Sequence, residues 1–187
     1  MDVFTTVLTR RSVTRPVAPA PGDEKFRYLL QMATAPDDGT LRPWWRILVC
    51  GEGQDTVVNS LAEETPNVPR QQFATKVVRH ALEVVRAALK ARLVLRPRPG
   101  HRVPECEQLA TAHAMARPLL LLLHTRGYGA IWRTGLLRTS LRVPRRLGFG
   151  TQKRLPSALD IGSPDPAAAP QRRPTPLDVS DHVATLV

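Results

Sequence analysis

The chain has 187 residues, 42% of them hydrophobic, which suits one domain with a sizeable core and leaves too little for two comfortable ones. With 27 Lys and Arg against 16 Asp and Glu, the formal net charge is +11. The cations are mostly Arg, scattered singly and in pairs, so the charge admits nucleic acid, an anionic ligand or plain drift of an Ala-, Arg- and Pro-rich chain, and excludes a dense polybasic tract.

Residues 2–9 place Val3, Phe4, Val7 and Leu8 on one face, which predicts a short amphipathic helix capped by Asp2. Its C-terminal end delivers Arg10, Arg11 and Ser12. Two guanidiniums and a hydroxyl suit a phosphate, and cations also suit a helix C-terminus for its dipole alone. Residues 13–22 are Pro-rich and predicted to be extended. A second helix is expected over about 24–34, capped by Asp23, with Phe26, Leu29, Leu30 and Ala33 inward. It ends in a loop at Ala35-Pro36-Asp37-Asp38-Gly39.

Trp45 to Cys50 reads as a strand. Helices are expected over 54–64 and 69–90, then a short strand at Leu93-Val94-Leu95 and a basic loop over 96–103. Pro104 opens the longest helix, with Glu105 and Glu107 at the positive end of its dipole. Leu109, Ala112, Ala116, Leu119 and Leu120 form its buried stripe, and Pro118 is expected to kink or break it. Gly127-Tyr128-Gly129 turns the chain into a strand at Ala130-Ile131-Trp132. Trp132, Arg133 and Thr134 then crowd an aromatic, a cation and a hydroxyl onto a strand end before Gly135. That end is either a binding site or a plain strand whose Trp is core and whose Arg pairs with a carboxylate. A helix near 140–147, a turn at Gly148-Phe149-Gly150, a strand near 157–162 and an extended Pro-rich tail over 164–176 complete the chain.

The 2 cysteines, Cys50 and Cys106, form neither a metal spacing nor a disulfide framework and are expected to be reduced core or near-core thiols. The 5 histidines form no HExxH pattern. His113 and His124 are expected on one face of the long helix in packing roles. No metal site is expected. No apolar signal region opens the chain and the leucine run is too short to span a bilayer, so a cytoplasmic protein with no membrane partner is expected. No helix-turn-helix spacing, zinc pattern or aromatic-basic RNA motif points to nucleic acid.

Several of these features are linked in order. They are Arg10-Arg11-Ser12, then Ala35-Pro36-Asp37 with Arg42-Pro43-Trp44, and Val103-Pro104-Glu105 with Glu107-Gln108. Gly127 through Gly135 and Ile161-Gly162-Ser163-Pro164 complete the set. In this order and spacing the chain resembles the nitroreductase family of flavoproteins, in particular its short bacterial YdjA-like branch, over nearly its whole length. The resemblance implies an α+β fold, a central, mostly antiparallel sheet flanked by helices, in an intertwined homodimer with FMN at each interface site. It implies one domain over 1–187, with residues 164–187 crossing to the partner protomer. By position, Arg10, Arg11 and Ser12 match the FMN-binding motif of one protomer, and Trp132, Arg133 and Thr134 match the segment that contacts FMN from the other. Thr34 and Asp38 fall where relatives also touch the cofactor, although the branch commonly has Arg and His there.

The activity implied is ping-pong hydride transfer from NADH or NADPH through FMN to a nitroaromatic, quinone or enone. The flavin carries the chemistry, so no protein side chain is assigned as catalytic. Arg133 is the candidate for a cation that stabilises the anionic reduced ring. Two alternatives stand beside this reading: a protein of the same fold that binds flavin or a partner without turnover, and a basic nucleic-acid-binding module.

Overall fold

In the computed structural model, the described residues are 1–34, 45–50, 88–134, 153–168 and 178–183. The expected helices over 54–64 and 140–147, most of the one over 69–90, the turn at 148–150, Asp38 and the tail beyond 168 up to 177 lie outside them.

Helix α1 spans Val3–Thr9, and Asp2 caps it by accepting the Thr5 amide at 3.0 Å. Of its residues only Thr6 is buried. Helix α2 spans Asp23–Ala33. Its N-cap is Gly22, so Asp23 lies in the first turn rather than at the cap, where its charge still suits the helix dipole. Phe26, Leu29 and Ala33 are buried as the spacing predicts, and Leu30 packs against the core.

The long helix breaks into α3, Glu105–Ala114, and α4, Ala116–Thr125, with Met115 between them. Pro118 lacks an amide proton for the carbonyl four residues back, so the break falls just upstream of it. Ala112, Ala116, Leu119, Leu120 and Leu123 are buried, and Leu109 packs against the core. Cys106 contradicts the expectation of a core thiol. It lies in the first turn of α3, on the outward side, and is exposed. His113 and His124 do not share one continuous helix. Gln108 is buried, and its side chain clasps the 96–103 loop. It accepts the Arg98 amide at 2.9 Å and donates to the Val103 and Arg98 carbonyls at 2.9 and 3.3 Å.

Among the described residues, four strands form one antiparallel sheet, β1 (Trp45–Cys50), β2 (Leu89–Leu95), β3 (Gly129–Arg133) and β4 (Arg154–Gly162), in the spatial order β1-β2-β4-β3. Strand β2 begins at Leu89, so residues 89 and 90 are strand and not the end of the helix expected over 69–90, and the three-residue strand expected at 93–95 is longer. Its residues alternate. Ala91, Leu93 and Leu95 join the core beneath α2, α3 and α4, together with Leu159 and Ile161 from β4 and Ala130 from β3. Lys90 and Arg92 point to the opposite face and are also buried, with Asp160 directly across from Lys90. Strand β4 carries Pro156 in mid-sheet. The register shifts between Leu93 and Leu95 on β2, and this bulge absorbs the missing donor.

Residues 12–19 are laid across the end of the sheet. Ser12 bridges Ala130 in parallel, the Val13 amide donates to the Ala130 carbonyl at 3.1 Å, and Val17 and Ser163 exchange two bonds at 2.9 and 2.7 Å. Gly129 and Gly162 are register partners beneath this segment. A Cβ on Gly129 would lie 2.7 Å from Val13 Cγ2, and one on Gly162 would collide with the Val17 carbonyl oxygen. Both glycines clear the sheet so that another stretch of backbone can cross it.

Candidate functional site

The crossing segment brings the end of α1 against the end of α4. Between them lies an open cleft of about 930 Å³ whose walls include Thr9, Arg11, Arg15, His124, Tyr128 and Asp165. Arg10 is the C-cap of α1 and Arg11 follows it, so a seven-residue helix and the fixed Ser12–Ala130 bridge position both guanidiniums. Arg11 Nη1 donates to the Arg10 carbonyl at 2.7 Å, which holds it folded back on its neighbour.

The electrostatics of this corner are one-sided. Burial, then the charge of Arg117 on α4, then that of Arg11 lower the Arg10 pKa from its ordinary value. Burial, then Arg10 and Arg11, lower that of His124. Among the described residues no carboxylate is bonded to Arg10 or Arg11. Like charges that are gathered, partly desolvated and left without a counter-charge form a socket for an anion, and an arginine pair fits a phosphate. The chemistry of the donors therefore fits the phosphate end of a cofactor. Among the described residues, no group of three or more His, Cys, Asp or Glu could hold a metal ion. Nor is any helix there long and apolar enough to cross a membrane.

The other sequence-predicted residues lie elsewhere. Trp132 packs against the core, and its ring meets His113 edge-on with centroids 5.3 Å apart. Arg133 pairs with Asp160, Nε to Oδ2 at 2.5 Å, and donates through Nη2 to the Thr14 carbonyl at 3.0 Å. Of the two roles open for this strand end, the Arg–carboxylate pair is the one the fold displays within a single chain. Thr134 is exposed just beyond β3. Thr34 is the C-cap of α2, and its hydroxyl donates to the Gln31 carbonyl at 3.0 Å. Asp38 is outside the described residues. One chain thus joins Arg10 and Arg11 to the Gly129 end of β3 and leaves Trp132, Arg133 and Thr134 at the other end.

Sequence reasoning missed His124, Thr9, Tyr128 and Asp165 as lining of one cleft. The signal was the adjacency of His124 to the Gly127 turn. The bridge to Ser12 and the Thr9–His124 contact, which no local pattern reports, bring that turn to the arginines.

A family model for the nitroreductase family matches residues 7–159. The chain belongs to the nitroreductase family. Its fold, helices around an antiparallel sheet, is the nitroreductase fold, and the family is one of oxidoreductase enzymes. The chain is 28% identical over 165 residues to the Escherichia coli K12 protein named "Putative NAD(P)H nitroreductase YdjA", covering 88% of this chain and 89% of that one. Among solved structures it is similar to a nitroreductase-like family protein from Bacillus cereus, with a TM-score of 0.80 at 20% identity, over 100% of this chain and 96% of that one. It is also similar to the FMN-dependent nitroreductase NfnB from Mycobacterium smegmatis, solved in complex with NADPH. That match has a TM-score of 0.73 at 19% identity and covers 98% of this chain and 97% of that one. At such identities the structural likeness speaks for the nitroreductase fold alone.

Proposed function

We propose that this nitroreductase-family chain is an FMN-dependent NAD(P)H oxidoreductase that works as a cytoplasmic homodimer. The observation that carries the reading is the pair Arg10 and Arg11 beside Arg117, with no carboxylate bonded to either of the pair among the described residues, which suits an anion of the phosphate class. Arg10 and Arg11 hold the phosphate of FMN, and the exposed Ser12 hydroxyl donates to it. Trp132, Arg133 and Thr134, at the other end of β3, are proposed as cofactor contacts presented by a second copy, by their place in the family pattern. In that second copy the Arg133–Asp160 pair has no net charge, so this segment serves the cofactor mainly by shape, its main chain and the Thr134 hydroxyl. Thr34 and Asp38 are proposed as cofactor contacts by their place in the family pattern.

Bound FMN supplies the redox chemistry, accepting hydride from NADH or NADPH and returning electrons to a nitroaromatic, quinone or enone. The protein's part is to bind, orient and exclude water, with the two substrates using one face of the ring in turn. The chain is read as one domain over 1–187, with residues 164–187 reaching the partner. Pro164, Asp165, Ala167 and Ala168 already border the cleft. The test is a purified preparation examined for the visible absorption of oxidised flavin, for its bleaching by NADPH or NADH, and for recovery with a quinone. Protein that stays colourless after incubation with FMN overturns the reading. Bound flavin that neither nucleotide bleaches supports the alternative of flavin binding without turnover.

A further inference from the structure

His124 has no part in the family pattern described above, yet it lies on the cleft beside the arginines. Its Nε2 is 2.9 Å from Thr9 Oγ1. The Thr9 hydroxyl has one proton and lies 2.6 Å from the Thr5 carbonyl, which takes that proton. Thr9 Oγ1 therefore accepts from His124, which fixes the neutral ring with its proton on Nε2 and leaves Nδ1 as the basic atom. The ring closes the gap between the last turn of α1 and the last turn of α4.

We propose that His124 belongs to the anion subsite and takes up a proton at Nδ1 when a phosphate group settles beside Arg10 and Arg11. The inference rests on the reading of those arginines as a phosphate site. The groups that face the ring explain the coupling. From the segment after α1 come Arg10 and Arg11, whose charges add to burial in lowering the ring's pKa from its ordinary value. Arg117, on the same helix as His124, acts on Arg10. Arg15, Tyr128 and the Met1 end border the cleft, with Lys25 stacked over the Tyr128 ring at 6.0 Å from its centroid. Asp165 is the carboxylate among the described lining residues. A phosphate carries a charge of about −1.5 to −2 near neutral pH. Set among these cations, it offsets the repulsion that keeps the second proton off His124. The end of α4 adds the negative end of a helix dipole, which favours an imidazolium once the repulsion is gone.

The sign follows by linkage. A ligand that raises the pKa of a group binds together with a proton, so affinity gains as pH falls toward the raised value. Each unit of rise corresponds to about tenfold in affinity at low pH. Below about pH 6 the phosphate itself protonates and loses charge, which limits the gain. His124→Gln removes the titration and keeps an amide donor for Thr9.

The experiment is calorimetry of FMN binding to the apoprotein in two buffers of different ionisation enthalpy, at neutral pH, for wild type and His124→Gln. Wild type should take up more protons per FMN than the variant, and riboflavin, which has no phosphate, should show no such difference. FMN affinities of the two proteins should agree at alkaline pH and diverge as pH falls toward neutral. Equal proton counts in the two proteins overturn the proposal. If FMN does not bind at all, the flavin reading fails separately. The His124 ring resonances are then followed by NMR as inorganic phosphate is added. A titration midpoint that climbs with phosphate sustains the proposal, and an unmoved midpoint overturns it.

Discussion

Arg133 Nε meets Asp160 Oδ2 at 2.5 Å across β3 and β4, and Arg133 Nη2 carries the contact on to the Thr14 carbonyl at 3.0 Å. The pair is almost dry, with side-chain exposures of 12% and 0%. It ties the segment that follows the arginines to the far end of the sheet. Asp160→Asn keeps the shape and removes the charge, leaving a mostly buried guanidinium short of its counter-ion. The expected loss is about 3–5 kcal/mol of folding stability, read as a shift in the urea midpoint at unchanged slope. A loss under about 1 kcal/mol, the size of an exposed pair, would show that the contact is loose in solution.

Gly162 gives a second test of the same crossing. Its substitution by Ala puts a Cβ onto the Val17 carbonyl, with backbone on the other side of the contact and no flexible side chain to yield. The two bonds between Val17 and Ser163 should open, at about 0.5–1.5 kcal/mol each. Faster amide exchange at Val17 and Ser163 together with a lowered Tm is the expected outcome. Unchanged exchange at both amides would mean that the crossing segment shifts to admit the Cβ without losing these bonds.

These two sites show where the sequence was legible and where it was not. Helix α2 follows from local periodicity, because one face meets the core and the spacing of apolar residues records it, and strand β1 lies over the residues expected, with Ile47 packed against the core. Strand β2 carries the period of two as plainly, with Leu89, Ala91, Leu93 and Leu95 on one side. Lys90 and Arg92 hide the pattern, since Lys90 closes the charge-rich stretch read as helix over 69–90 and Arg92 stands just ahead of the expected strand, until the fold buries both. Pro156 marks a bulge that depends on its partner strand. In the candidate site Arg10 and Arg11 were visible as a pair of cations at a helix end. Their neighbours His124 and Asp165 were not, because they lie far along the chain and are joined through the Ser12 and Val17 bridges and the Thr9–His124 contact.

The phosphate reading of Arg10 separates binding from folding. With no carboxylate partner among the described residues, and repelled by Arg11 and Arg117, Arg10 adds little to the fold. Arg10→Ala should therefore leave thermal stability nearly unchanged. It should weaken FMN by about ten- to a hundredfold, the loss of a charge-assisted hydrogen bond worth about 1.5–3 kcal/mol, and leave riboflavin affinity unaltered. Fluorescence titration of both flavins into the apoprotein measures the difference. Equal losses for the two ligands would assign Arg10 to the ring or to the fold instead of to the phosphate.

The outer face of α1 tests the proposed dimer. Val3, Phe4 and Leu8 are 74%, 81% and 70% exposed in the single chain, and Thr6 alone is buried. A helix that turns its apolar stripe outward and its threonine inward gains nothing from that stripe unless a second surface covers it. The helix also ends at Arg10, so whatever covers it stands next to the phosphate socket. In the proposed homodimer the second copy does both things, covering Phe4 and presenting Trp132, Arg133 and Thr134 to the cofactor. Phe4→Glu places a charge on the covered face, where it must be desolvated without a partner, at several kcal/mol per ion. The variant should run as a monomer by light scattering at a concentration where the wild type is a dimer. It should also lose FMN even though Arg10 and Arg11 are intact. Phe4→Leu, which keeps the face apolar, should retain both properties. A Phe4→Glu protein that stays dimeric and yellow would show that α1 faces solvent in the assembly and that the flavin site is built from other contacts.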